Sequence, residues 1–132
     1  MDEKELGALA RKTAAQLFGE SVQGEGAYAL WREFDPELAK QFSYFFVGRL
    51  YARDVLSQKQ RELCAVAALT VSKFWEELHI HCNAARNVGA TAKEVAEVIF
   101  QMSTYGGVPC MVEGLKVLKA VLKERGEWQE PP

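Results

Sequence analysis

Apolar positions recur along the chain at the three- and four-residue spacing of helices, and no stretch alternates convincingly as a strand would. Residues 3–18 carry Leu6, Leu9, Ala10, Thr13 and Leu17 on one face, and Gly19 ends the run. A glycine-rich connector (Gly19, Gly24, Gly26) leads to a short segment, Ala27 to Phe34, of one or two helical turns. Asp35-Pro36 then opens a new helix, with Asp35 as N-cap and Pro36 at the first helical position. Its stripe is Leu38, Phe42, Phe45 and Phe46, with Arg49 on the same line, and this concentration of aromatics reads as packed core or subunit contact.

Ser57 with Gln60 forms a capping-box start for the next helix, Gln58 to about Ser72. That helix is apolar nearly all round, which predicts burial at the centre of the molecule or of an assembly. With its successor it forms a helical hairpin from about Arg61 to Val88. Projected at 100° per residue, Phe74, Leu78, His81, Ala85 and Val88 fall in one stripe with Glu77 at its edge. His79 points the other way, with Glu76, Asn83 and Arg86. Gly89 is a plausible left-handed cap, and Thr91 with Glu94 makes a second capping box for Ala92 to about Tyr105. Gly106-Gly107 breaks that helix, and Pro109 starts the last long one, with Met111, Leu115, Leu118 and Leu122 in a stripe and Gly126 past its end. The expectation is an all-α protein, one domain overall. Residues 1–34 form an N-terminal helix and connector, 35–126 the main helical domain, and 127–132 a flexible tail.

Composition narrows the classes of function. The 132 residues suffice for a single core, and 48% are apolar, at the upper end for a soluble protein, which hints at buried subunit contacts. A net charge of −2 with scattered Lys and Arg leaves no basic patch and argues against nucleic acid as a partner. No apolar run reaches the ~20 residues that span a bilayer, and Met1-Asp2-Glu3-Lys4-Glu5 does not resemble a signal peptide. Cys64, Cys82 and Cys110 are an odd number and widely spaced, as in a cytoplasmic protein with reduced thiols.

Candidate chemistry centres on His81. A lone histidine on an apolar face is more often a satisfied core residue than a catalyst. Two carboxylates alter that balance: Glu77 lies one turn before His81, and Glu62 enters the core from the preceding helix. Three ionisable groups converging on apolar surface cost several kcal/mol each in desolvation unless they serve a purpose, so about this point the sequence favours a Glu62/Glu77/His81 catalytic cluster. Lys73 shares the stripe of Glu62 and is a candidate ion-pair partner. Phe74 and Tyr105 are candidates for substrate contact, Tyr105 through its hydroxyl. A metal site is disfavoured: His79 and His81 are about 200° apart on a regular helix, and no CxxC or HExxH accompanies them. Each cysteine is most simply a small core residue.

Arg61-Glu62-Leu63, Glu77-Leu78 followed by His81, Ala84-Ala85, Gly89-Ala90-Thr91, Glu94-Val95 and Tyr105-Gly106-Gly107-Val108-Pro109, in this order, resemble the carboxymuconolactone decarboxylase family, whose superfamily includes the AhpD-type alkylhydroperoxidases. The resemblance runs from about Asp35 to Leu122. It implies an AhpD-like helical bundle with a central hairpin, assembled as trimers or hexamers. It also matches Glu62 and His81 to the family's proton-relay residues. In the peroxidase branch a CxxC precedes the histidine. Phe74 and Glu77 occupy those two positions here, so the resemblance points to the decarboxylase branch: a lyase of aromatic-compound catabolism that needs no cofactor and acts on a small carboxylated lactone. A non-catalytic oligomeric scaffold and a cysteine-poor peroxidase relative are the alternatives.

Overall fold

A computed structural model describes residues 1–19 and 26–132, so Gly24 of the expected connector lies outside it. Every regular element among the described residues is helical. The chain forms two compact units, Met1–Ser57 and Gln58–Pro132.

The N-terminal unit begins with α1 (Glu3–Phe18), started by a reciprocal capping box between Asp2 and Glu5. α2 (Ala27–Phe34) and α3 (Pro36–Ser43) follow, and Asp35 caps α3 by accepting from the Leu38 N–H at 2.9 Å, as its position predicts. Instead of ending, α3 runs on as a π-helical segment, Tyr44–Leu50, in which the Tyr51 N–H reaches back five residues to the Phe46 carbonyl. This segment packs closely on α1. A Cβ at Gly48 would stand 2.8 Å from Leu6 Cδ1, so a larger residue there would force that side chain to shift. Leu6, Ala10, Thr13 and Leu17 are buried on α1, matching the expected stripe except for a half-buried Leu9. The aromatic stripe behaves differently. Trp31 meets Phe42 edge-on at 5.4 Å between ring centroids, and Phe45 meets Phe46 at 5.3 Å, yet Leu38, Phe42, Phe45 and Phe46 are all exposed.

The C-terminal unit contains α4 (Gln58–Ser72), α5 (Trp75–Asn87), α6 (Ala92–Gln101), the single turn α7 (Ser103–Gly106) and α8 (Val108–Glu124). Its core joins Val66 of α4, Leu78, Cys82 and Ala85 of α5, Val95 and Ile99 of α6, and Leu118, Val121 and Leu122 of α8. α4 is not buried all round: Glu62, Val66 and Thr70 face inward, while Cys64 and Ala68 are exposed. The inward face of α5 is also rotated from the expected stripe. Leu78, Cys82 and Ala85 lie at its centre, Phe74 is exposed and His81 sits at the edge.

Three helices end the same way. After α5, the Ala90 N–H donates to the Ala85 carbonyl and the Gly89 N–H to that of Arg86; Gly126 and Glu127 repeat the pattern after α8. After α4 the same six-residue closure runs through Lys73 and Phe74, so a lysine with φ of 63° stands where the other two helices have glycine. Beyond Gly126 the tail is tied down at its start. Glu127 accepts from Arg86 and Arg125, Trp128 packs on the core, and Lys119 lies 4.9 Å from the centroid of its ring.

Candidate functional site

Glu62 is placed by the first turns of α4, with Val66 and Thr70 on the same inward line. Its side chain is 0% exposed. Eleven residues later Lys73 reverses the chain, and eight residues after that His81 stands on α5, its side chain 22% exposed. The reversal brings the two together: His81 Nδ1 lies 2.6 Å from Glu62 Oε2. The other carboxylate oxygen, Oε1, is buried and meets no hydrogen-bond donor among the described residues. The pair therefore joins a fully buried carboxylate to an imidazole that solvent reaches. Such an arrangement can orient the ring and pass a proton between the interior and the surface.

The other sequence candidates lie elsewhere. Glu77 is exposed one turn before His81. Lys73 is exposed at the helix reversal and is not the partner of Glu62; the imidazole takes that place. Phe74 and Tyr105 are exposed, and neither makes a contact with the pair that places it in the site; Tyr105 is 72% exposed. It adjoins Gly106, which packs against Val71, nine residues beyond Glu62 and so roughly 13 Å along the helix. Among the described residues, no three His, Cys, Asp or Glu side chains converge as metal ligands would. Burial pushes the Cys82 thiol up to about 12, which keeps it protonated at neutral pH.

A second histidine–glutamate pair escaped the sequence reading. His79 Nε2 lies 2.8 Å from Glu124 Oε2, with side-chain exposures of 37% and 60%. It borders an open groove of about 500 Å³ lined by Trp75, Glu76 and His79 of α5 and by Glu113, Lys116 and Val117 of α8. The available signal was the opposite projection of His79, but Glu124 is 45 residues away and no local pattern links them.

The model of the carboxymuconolactone decarboxylase family matches residues 36–120, which contain both members of the buried pair. The chain belongs to that family. Among the proteins it resembles is an uncharacterised 15.0 kDa protein of Paracoccus denitrificans, encoded in the nqo9-nqo10 intergenic region, 34% identical over 94 residues that cover 70% of each chain. The 4-carboxymuconolactone decarboxylase of Acinetobacter baylyi is 29% identical over 94 residues, 71% of this chain and 70% of the relative. Within the matched segment, Glu62 and His81 stand at hydrogen-bond distance. None of its described helices is long and apolar enough to cross a membrane.

Proposed function

We propose that this protein is a cofactor-free lyase of the decarboxylase type, acting on a small carboxylated or lactone-like molecule, with Glu62 and His81 as its proton-transfer pair. The observation that carries this reading is the 2.6 Å contact between His81 Nδ1 and a fully buried Glu62. Family membership and the resemblance to a named decarboxylase support the reaction class.

In the proposed step the bond between the substrate carbon and its carboxylate breaks and CO₂ leaves. The electron pair spreads from that carbon toward a neighbouring carbonyl. Protonated His81 then delivers a proton to the carbon. Glu62, bound to Nδ1, holds the ring in one orientation, balances the imidazolium charge and assigns Nε2 to the substrate. Glu77, a helix neighbour of His81 one turn away, serves as a surface carboxylate that exchanges protons with solvent. The reading includes assembly as a homo-oligomer, a trimer or hexamer by family resemblance.

The test is CO₂ release from 4-carboxymuconolactone. The wild-type protein should release CO₂, and His81→Ala and Glu62→Gln should each lose the activity while remaining folded by circular dichroism. A folded wild-type protein that releases none would overturn the assignment.

A further inference from the structure

The N-terminal unit leaves its largest side chains outside. Leu30 and Phe34 of α2, Leu38 and Phe42 of α3, and Phe45 and Phe46 of the π-helical segment are between 38% and 85% exposed. Phe42 and Phe46 stack with Trp31, and Phe45 with Phe46, so these rings form one pre-arranged surface. At the ~150–250 Å² an aromatic side chain presents, the six residues expose on the order of 500 Å² of apolar surface. That is near the upper end of about 300–600 Å² for the largest patch of a monomer. It is also more than half of the roughly 800 Å² that each partner contributes to a stable interface.

The charges of this region say what covers the patch. Between Gly26 and Ser57, Arg32, Lys40, Arg49 and Arg53 are balanced by Glu33, Asp35, Glu37 and Asp54. An anionic membrane or a nucleic acid would call for a basic excess, which is absent. A protein surface with charges of both signs, such as a second copy of this segment presents, is the complement that a neutral, mixed segment fits.

We infer that a second copy of this chain covers the aromatic face of α2, α3 and the π-helical segment, and that this face is the chain's main self-association surface. The inference rests on the assembly reading above and adds where the contact lies.

Size-exclusion chromatography with light scattering, at micromolar protein, tests it with wild type, Phe34→Glu, Phe45→Glu and, as a control on the other unit, Val112→Glu. Phe34 is 85% exposed, so its replacement spares the fold of one chain, which circular dichroism confirms. The expected result is a multiple of 14.8 kDa for wild type and Val112→Glu, and a fall to the single-chain mass for both phenylalanine variants. Wild type at the single-chain mass would overturn the assembly reading and this inference together. Wild-type multimers that survive both phenylalanine changes would overturn only the location. Co-sedimentation of wild type with 3:1 phosphatidylcholine–phosphatidylserine vesicles, lost in Phe34→Glu, would assign the face to a membrane and overturn it too.

Discussion

α5 carries two histidines two residues apart, and each holds a glutamate. His81 reaches Glu62 at 2.6 Å and His79 reaches Glu124 at 2.8 Å. Residue types and distances barely separate the pairs; depth does. Glu62 is wholly buried, whereas Glu124 is 60% exposed. A carboxylate in water is content with or without its imidazole, and its ion pair contributes little. A carboxylate in the core depends on its partner and holds it to one geometry. A short histidine–glutamate distance is therefore weak evidence for chemistry until burial is known.

Breaking the buried pair should have the largest effect. His81→Ala leaves Glu62 in the core without its imidazole, at an expected cost of about 3 kcal/mol or more in urea unfolding. Turnover should fall about 100-fold or more. Unchanged stability would show that Glu62 does not depend on its partner.

The thiol one residue beyond His81 separates the two faces chemically. Cys82→Ser puts a hydroxyl into the core and should cost about 1–3 kcal/mol, but leave turnover per folded molecule unaltered. With a thiol reagent, exposed Cys64 should react first, while Cys82 and Cys110 wait for unfolding. Peroxide turnover with a dithiol that vanished in Cys82→Ser would reverse this reading and make the thiol functional.

Lys73 sharpens the comparison from the turn that brings Glu62 and His81 together. Lys73→Gly relieves a left-handed lysine and should raise stability by about 0.5–1 kcal/mol. Activity should not change, because the backbone already holds the pair in register. A loss of activity would give the lysine side chain a role of its own.

His79→Ala should cost no more than about 1 kcal/mol, and less still in 1 M salt, where exposed pairs are screened. A cost equal to that of His81→Ala would dissolve the distinction drawn from burial. The smallest effect belongs to Glu127. Hydrogen bonds from Arg86 and then Arg125 hold its carboxyl below the usual 4.5. A depressed folded-state value contributes stability above 4.5 that is lost as pH falls through the lowered value. Wild type and Glu127→Gln should thus differ most near neutral pH and converge in acid, as acid titration of the melting temperature would show.

Much of this was legible in the sequence because it is local. Asp35 with Pro36, and Thr91 with Glu94, mark helix starts through contacts three residues apart, and both caps are formed. The helix projection set His79 and His81 on opposite faces, and the structure agrees. It misplaced the centre of the buried face, since a repeat of three and four residues fixes a stripe only to within one neighbour. Cys82 took the place expected of Phe74 and Val88. Asp2-x-x-Glu5 is a capping signal that its acidic surroundings obscured. Other features had no local trace. Glu124 finds His79 across 45 residues, and Glu127 finds Arg86 across 41, so no local spacing announces that the start of the tail is held. The spacing of the aromatic stripe reads as packed core or subunit contact without choosing between them, because periodicity reports that a face is apolar and not what lies against it.

The π-helical segment has a consequence for how the chain tolerates changes of length. Such a turn is a helical turn holding one residue more than an α-helix needs. Removing a single residue between Tyr44 and Leu50 would let the segment close into an ordinary α-turn. Removing one between Glu62 and Thr70 would swing Glu62 by about 100° relative to the rest of α4, away from His81. Shortening by one residue should be accepted in the first stretch and rejected in the second. The slack of this chain lies in the helix of aromatics, and its rigidity in the helix that carries the buried acid.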